Sequence, residues 1–432
     1  MTFLKHTLIP FLLLGMMTQA QQTPGLEQKT RVAIIGGTVH VGNGEVITDA
    51  VLVFEKGKLT VVSSQARFNG SLEGALIIDA QGKQVYPGFI AANSTLGLVE
   101  VDAVRASDDQ EELGELLPHI RSLIAYNAES KVVESMRPNG VLLAQATPQG
   151  GRISGTSSVV QLDAWNWEDA AVKVDDGIHL NWPRTLSYSR NWATRSWTLE
   201  SNKNYDKEVR SVQQFFDESK AYLGGARTPK NLPFEAMAGL FNGSQHLYVH
   251  VGDERGITDA VAFAKHNGVS IVLVGAEEAY KVTELLKKEG VGVLLSNTHR
   301  LPRSEDHDYD MPYKLPKLLA DAGILVGLNT GGKANFQSRN LPFFAGQVVG
   351  QGLDKEIALS MITANTAKLL GMDNEYGTLE VGKSATLFIS EGDALDMIGN
   401  QLNKAFIDGR EISLESHQTE LWQRYKKKFE SN

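Results

Sequence analysis

The chain has 432 residues, more than one ordinary domain requires, and its 42% hydrophobic and 22% charged content is that of a folded globular protein. A net charge of −9 and a pI near 5.7 speak against nucleic acid or an anionic membrane as a partner. The lack of cysteine excludes disulfides, thiolate zinc sites, a cysteine nucleophile and a lipoprotein anchor.

Residues 1–20, MTFLKHTLIPFLLLGMMTQA, set Lys5 and His6 before an apolar run from Leu8 to Met17 and end on Thr18-Gln19-Ala20. This is the build of a secretory signal peptide cut after Ala20, and the run is shorter than the roughly 20 residues of a spanning helix. The expected product is periplasmic or secreted, with no membrane span. Residues 21–30 form a polar linker. From Arg31 to about 85, short β-branched runs are separated by Gly36-Gly37, Asn43-Gly44 and Lys56-Gly57, which is hairpin chemistry. The same signature returns over 373–412, with Asp408-Gly409 at a turn, so one small sheet domain drawn from both chain ends is expected. Between them strands alternate with helices: HLYVHVGD, GITDAVAFAKHNG, VSIVLVG, AEEAYKVTELLKKEG, VGVLLSN, PYKLPKLLADAG and ILVGLNTG. Asp354 is placed to cap the helix that follows. Such units predict a parallel sheet with helical crossovers and, at this length, a (β/α)8 barrel over about 86–372. Residues 151–230 read as long loops over the barrel's C-terminal face. Residues 413–432 predict a helix with Leu421, Trp422, Tyr425 and Phe429 at helical spacing and Lys426 to Lys428 on a solvated face.

Polar side chains with chemical potential fall in three places. In YPGFIAANSTLGL, Asn93 and Thr95 stand at i, i+2 on a strand, where a His-x-His pair would hold one ion. TPQGGRISGTSS brings Gly150, Gly151 and small hydroxyls around Arg152, an anion-nest composition, with Trp165 and Trp167 downstream as stacking platforms. NTHRLPRSEDHDYD gathers His299, His307 and three aspartates; it lacks the interleaved glycine of an EF-hand loop and reads as a solvated acidic loop, from which His299 can reach a pocket.

The order of these pieces resembles the amidohydrolase superfamily, in particular imidazolonepropionase-like proteins with a composite β-sandwich. The resemblance rests on PGFIAANSTLGL after the first β module and on ALSMITANTAKLLGMDNEYGTLEVGKSATLFI near the end, and it covers roughly residues 31–412. It implies an α/β fold, a TIM-like (β/α)8 barrel with a small sandwich built by both chain ends. It also implies zinc or another divalent metal held by His-x-His on the first strand, one His each on the fifth and sixth strands, and an Asp on the eighth. Here the first pair is Asn93 and Thr95, and the fifth-strand His is retained as His250. The sixth-strand position is Val274 or Gly275, and the eighth-strand Asp is replaced by Asn329, or by Thr330 if the register slips. Ala91 stands where an Asp is usual. Neutral amide and hydroxyl oxygens suit neither Zn²⁺ nor hydroxide generation, and an amide at 329 can take no proton. The expected site is therefore His250 and Asn329 in any catalytic role, with Asn93, Thr95, Arg152, Trp165 and His299 as substrate contacts and no metal or other cofactor. Two readings follow: a degenerate hydrolase of a cyclic amide C–N bond, or a non-catalytic barrel. The second is preferred, with a small molecule, a second copy or an intact relative as its partner.

Overall fold

The β-branched runs after Arg31 pair through their glycine turns, and the C-terminal runs complete the sheet they begin. The computed structural model describes residues 23–191, 195–302, 306–331 and 335–430, so the apolar segment 1–20 lies outside the described residues. Strands β1 (Val32–His40), β2 (Val46–Glu55), β3 (Lys58–Ser64), β4 (Leu76–Asp79) and β5 (Gln84–Pro87) open the chain. A second sheet follows: β6 (Phe89–Ser94), β7 (Val141–Ala146), β8 (Ile153–Gln161), β9 (Ala171–Asn181), then, after a separate hairpin β10 (Leu186–Asn191) and β11 (Ser196–Ser201), β12 (His246–Val251), β13 (Ile271–Gly275), β14 (Gly292–Ser296) and β15 (Val326–Asn329). Strands β16 (Leu387–Ser390), β17 (Leu402–Ile407) and β18 (Arg410–Ile412) return to the first sheet, where β16 pairs antiparallel with β5. Its order is β18-β17-β16-β5-β1-β2-β3, with β4 beside β1, so both chain ends share one sheet.

The second sheet runs β15-β14-β13-β12-β9-β8-β7-β6, and β15 returns to β6 to leave a nearly closed barrel. From β12 onward the strand–helix alternation follows the sequence, with helices Glu254–Asn267, Thr283–Glu289 and Met311–Asp321 as crossovers. Asp253 caps the first of these through Gly256 N, and Gly268 ends it at φ +67°. Asp354 caps Lys355–Ser360 by accepting from Glu356 N and Ile357 N.

One part departs from the (β/α)8 expectation. Strand β8 is antiparallel to both β7 and β9, so these three form a meander inside an otherwise parallel barrel. Residues 153–161 and 171–181, expected as loops over the top, are barrel strands. Beyond them only the hairpin and the helix Tyr205–Gly224 fit an excursion outside the sheet.

The barrel interior is layered. Ile90, Leu143, Val159, Val272, Val274 and Leu294 fill its lower part with Leu369 and Leu370. Toward the C-terminal mouth the inward positions are Gln145, Ser157, His179, His250 and Asn329. Alternation sets this register: Gln145 comes two residues after Leu143 on β7, and Ser157 two before Val159 on the reversed β8.

Candidate functional site

The first strand ends in a left-handed residue, Asn93 at φ +49°, a conformation that asparagine tolerates. The kink aims its amide across the barrel. Asn93 Nδ2 donates to Asn329 Oδ1 at 3.3 Å, and Asn93 N donates to Gln145 Oε1 at 2.9 Å. Asn329 Oδ1 also accepts from Gly331 N at 2.8 Å, and its Nδ2 donates to Leu294 O. A backbone N–H can only donate, so both amides are oriented without ambiguity, and Asn93 Oδ1 remains a buried acceptor with no partner among the described residues. Thr330 turns to Ser338, with the two hydroxyl oxygens 3.0 Å apart; Asn329 is thus the inward residue of the eighth strand. Thr95, also buried, lies just past β6.

On the opposite wall the fourth strand supplies His179, which the sequence reading did not find. The chain of contacts begins at Asp176, fully buried, whose carboxylate accepts from Tyr248 OH at 2.7 Å, Ser157 Oγ at 2.8 Å and Gln145 Nε2 at 2.7 Å. Having given its proton to Asp176, Ser157 Oγ accepts from His179 Nε2 at 2.9 Å. His179 Nδ1 then carries a lone pair and accepts from His250 Nε2 at 2.9 Å. This order leaves a lone pair on the Nδ1 of His250. Burial pushes the His250 pKa down to about 4 and holds His179 well below the usual imidazole range, with the neighbouring His250 adding to the effect. Burial raises the Asp176 carboxyl, against the three donors that lower it. Tyr248 stacks on His179 with ring centroids 4.7 Å apart, fixing the ring plane.

The site is thus a belt of neutral groups around the barrel: Asn329, Asn93, Gln145, Ser157, His179, His250. A transition metal needs several imidazole or carboxylate donors converging on one point. Here both nitrogens of His179 and one of His250 are engaged, the remaining groups are three amides and a hydroxyl, and Val274 faces the apolar layer. No group of three His, Asp or Glu side chains converges among the described residues. These residues do not fit a zinc-type metal.

The other expected contacts are placed differently. Arg152 donates to Asn181 O and pairs with Glu208 Oε2 at 2.9 Å, so its charge is already matched. In its loop Gly150 O and Gly151 O accept from Asn181 Nδ2. Trp165, 62% exposed, follows the antiparallel β8 and so stands at the opposite end of the barrel from His250, beside a cleft of about 280 Å³ lined by Arg137 and Asp163. That reversal of strand direction is what separates it from the mouth. His299 follows β14 at the mouth, exposed, against the rings of Tyr313 and Phe344. In the acidic loop Lys314 pairs with Asp308 and Asp310, and His307 with Glu278.

Comparison with known proteins agrees with this fold. A family model described as Amidohydrolase family matches residues 233–412. The amidohydrolase tasK of Hapsidospora irregularis is 20% identical over 427 residues, covering 90% of this chain; the chain spans 42% of that relative's length. Among solved structures, an amidohydrolase from Thermotoga maritima MSB8 superposes with TM-score 0.77 at 22% identity, covering 88% of this chain and 99% of that one. Molinate hydrolase superposes with TM-score 0.55 at 16% identity, covering 90% and 96% of the two chains. Phenylurea hydrolase B does so with TM-score 0.51 at 14% identity, covering 89% and 97%. Residues 233–412 thus carry an amidohydrolase-family match, and the chain as a whole shares the fold of solved amidohydrolases.

Proposed function

We propose that this chain is an exported amidohydrolase-fold protein that binds a small amide- or urea-bearing molecule at the barrel mouth without metal-dependent hydrolysis. The observation that carries the reading is the His179–His250 pair: the one imidazole standing at a superfamily ligand position, His250, gives its Nε2 to His179. Asn93 Oδ1 and His250 Nδ1 are acceptors, and an amide or urea N–H can donate to each. The imidazolonepropionase-like subgroup, the composite sandwich, the leader 1–20 and pairing with a second copy or an intact relative belong to this proposal too.

The rival reading, metal-free hydrolysis with His250 as general base, draws support from that Nδ1 lone pair. Its weakness is basicity: a base with pKa about 4 is free at neutral pH but accepts a proton poorly. Elemental analysis of the purified protein tests the proposal directly. Trace metal only, and a melting temperature unmoved by EDTA, are expected. Near-stoichiometric Zn, Mn or Fe, or a drop of several degrees on chelation, sinks it.

A further inference from the structure

The helix His417–Glu430 buries none of its side chains, and residues 422–430 are exposed throughout. It is anchored at its first turn, where His417 N donates to Glu134 Oε1. A helix of 14 residues without tertiary packing is marginal in water, so this one needs a surface against which to form. At 100° per residue, Leu421, Trp422, Tyr425 and Phe429 fall within an arc of about 100°. The three aromatic residues are 61%, 52% and 72% exposed. Each has a cation over its ring: Lys426 Nζ at 5.0 Å from Trp422, Arg424 Cζ at 5.4 Å from Tyr425, Lys428 Nζ at 5.8 Å from Phe429. Lys426 and Lys428 flank the apolar strip on its two sides.

We propose that this helix docks the protein on an anionic phospholipid surface, with the aromatic rings at headgroup depth and the flanking lysines on phosphates. The net charge of −9 opposes such docking and speaks against an anionic membrane as a partner of the whole chain. The local balance is different. Arg424, Lys426, Lys427 and Lys428 against Glu420 and Glu430 give 4 − 2 = +2 on the helix. Residues 422–430 run about 12 Å along the helix axis, all of them exposed, against a ~8 Å screening length at physiological salt, so the charge of the helix acts largely by itself on a surface that touches it. A second copy is a poorer occupant, because a two-fold contact of these strips would set lysine against lysine.

With no native cysteine, Gln418→Cys places a single environment-sensitive dye within the same arc. The dye reports the helix alone, so any binding by Leu8–Met17 does not enter the signal. Vesicles of phosphatidylcholine are compared with vesicles containing phosphatidylglycerol. A blue shift is expected on the anionic vesicles, with apparent affinity roughly 30-fold higher than on the neutral ones, about fivefold per net basic residue. Trp422→Ser with Phe429→Ser should abolish the shift and leave the melting temperature unchanged. Equal shifts on both vesicles, no shift on either, or a vesicle-free shift accompanied by doubled mass in light scattering would each overturn the proposal, the last in favour of a second copy.

Discussion

At the scale of single residues, the mouth is organised by proton inventory. Asp176 can only accept while ionised, and that one fact propagates through Ser157 and His179 to leave a lone pair on His250 Nδ1. The depressed pKa of His250 has a sign. Unfolded histidine binds its proton near pH 6.5 and the folded residue near 4, so the unfolded state holds more protons between those values. The residue's contribution to stability is present above pH 6.5 and declines as pH falls toward 4. From pH 7 to 5 the loss is about 2 kcal/mol. Asp176, with its pKa raised, contributes the opposite slope, so the comparison must be between variants. His250→Gln, which keeps a donor for His179, should show a smaller drop in melting temperature between pH 7 and 5 than the native protein. An equal drop in calorimetry refutes the assignment. Asn93, Asn329 and His250 were legible through the family resemblance, which gives each strand's end an address in the barrel. Gln145, Ser157, Asp176 and His179 were not, because buried hydrogen bonding is a property of pairs and no single strand announces its partner. The one available signal was the spacing of Asp176 and His179 within one short segment, VDDGIHLN.

At the scale of elements, the strand–helix units from β12 onward followed their apolar periodicity and caps, whereas β8 escaped notice. ISGTSSVVQ has a polar, small-residue first half, yet every residue is buried. Its hydroxyls are satisfied within the protein, Ser157 at Asp176 inside the barrel and Thr156 at Pro118 O outside it, so the alternation that marks a half-solvated strand is missing. Neighbouring β9 has a tighter constraint. A Cβ at Gly177 would lie 2.4 Å from the Tyr248 ring and 2.5 Å from His246 O, because β12 passes directly against it. The backbone oxygen cannot withdraw without breaking the ladder. Gly177→Ala should therefore destabilise the fold by about 1–3 kcal/mol through overpacking, read as a lower urea midpoint. Displacement of Tyr248 should also loosen the ring stacked on His179. A neutral effect would mean that β9 and β12 are less closely apposed than described.

Across the whole molecule, the sheet from both chain ends is fastened to the barrel at one buried carboxylate. Asp163, 3% exposed, accepts from Gly25 N and pairs with Arg137 before β7 and with Arg410 of β18. Arg410 also reaches Gly25 O and Gln161. Removing the carboxylate strands two guanidinium groups in a desolvated place, at a cost of about 3–5 kcal/mol. Asp163→Ala should thus lower the unfolding free energy by that amount in denaturant titration; a loss below about 1 kcal/mol would show that water reaches the site. The pairing of β5 with β16 has a temporal consequence as well. Pro87 meets Leu387, 300 residues later by 387 − 87, so a ribosome working at about 5–20 residues per second releases the partner strand roughly 15–60 s after the first. Throughout that interval the nascent chain carries a β edge with nothing beside it, the template on which wrong pairing begins. Any cell that makes this protein must keep that edge occupied until translation ends, and a truncated product lacking its last strands would carry the exposed edge permanently.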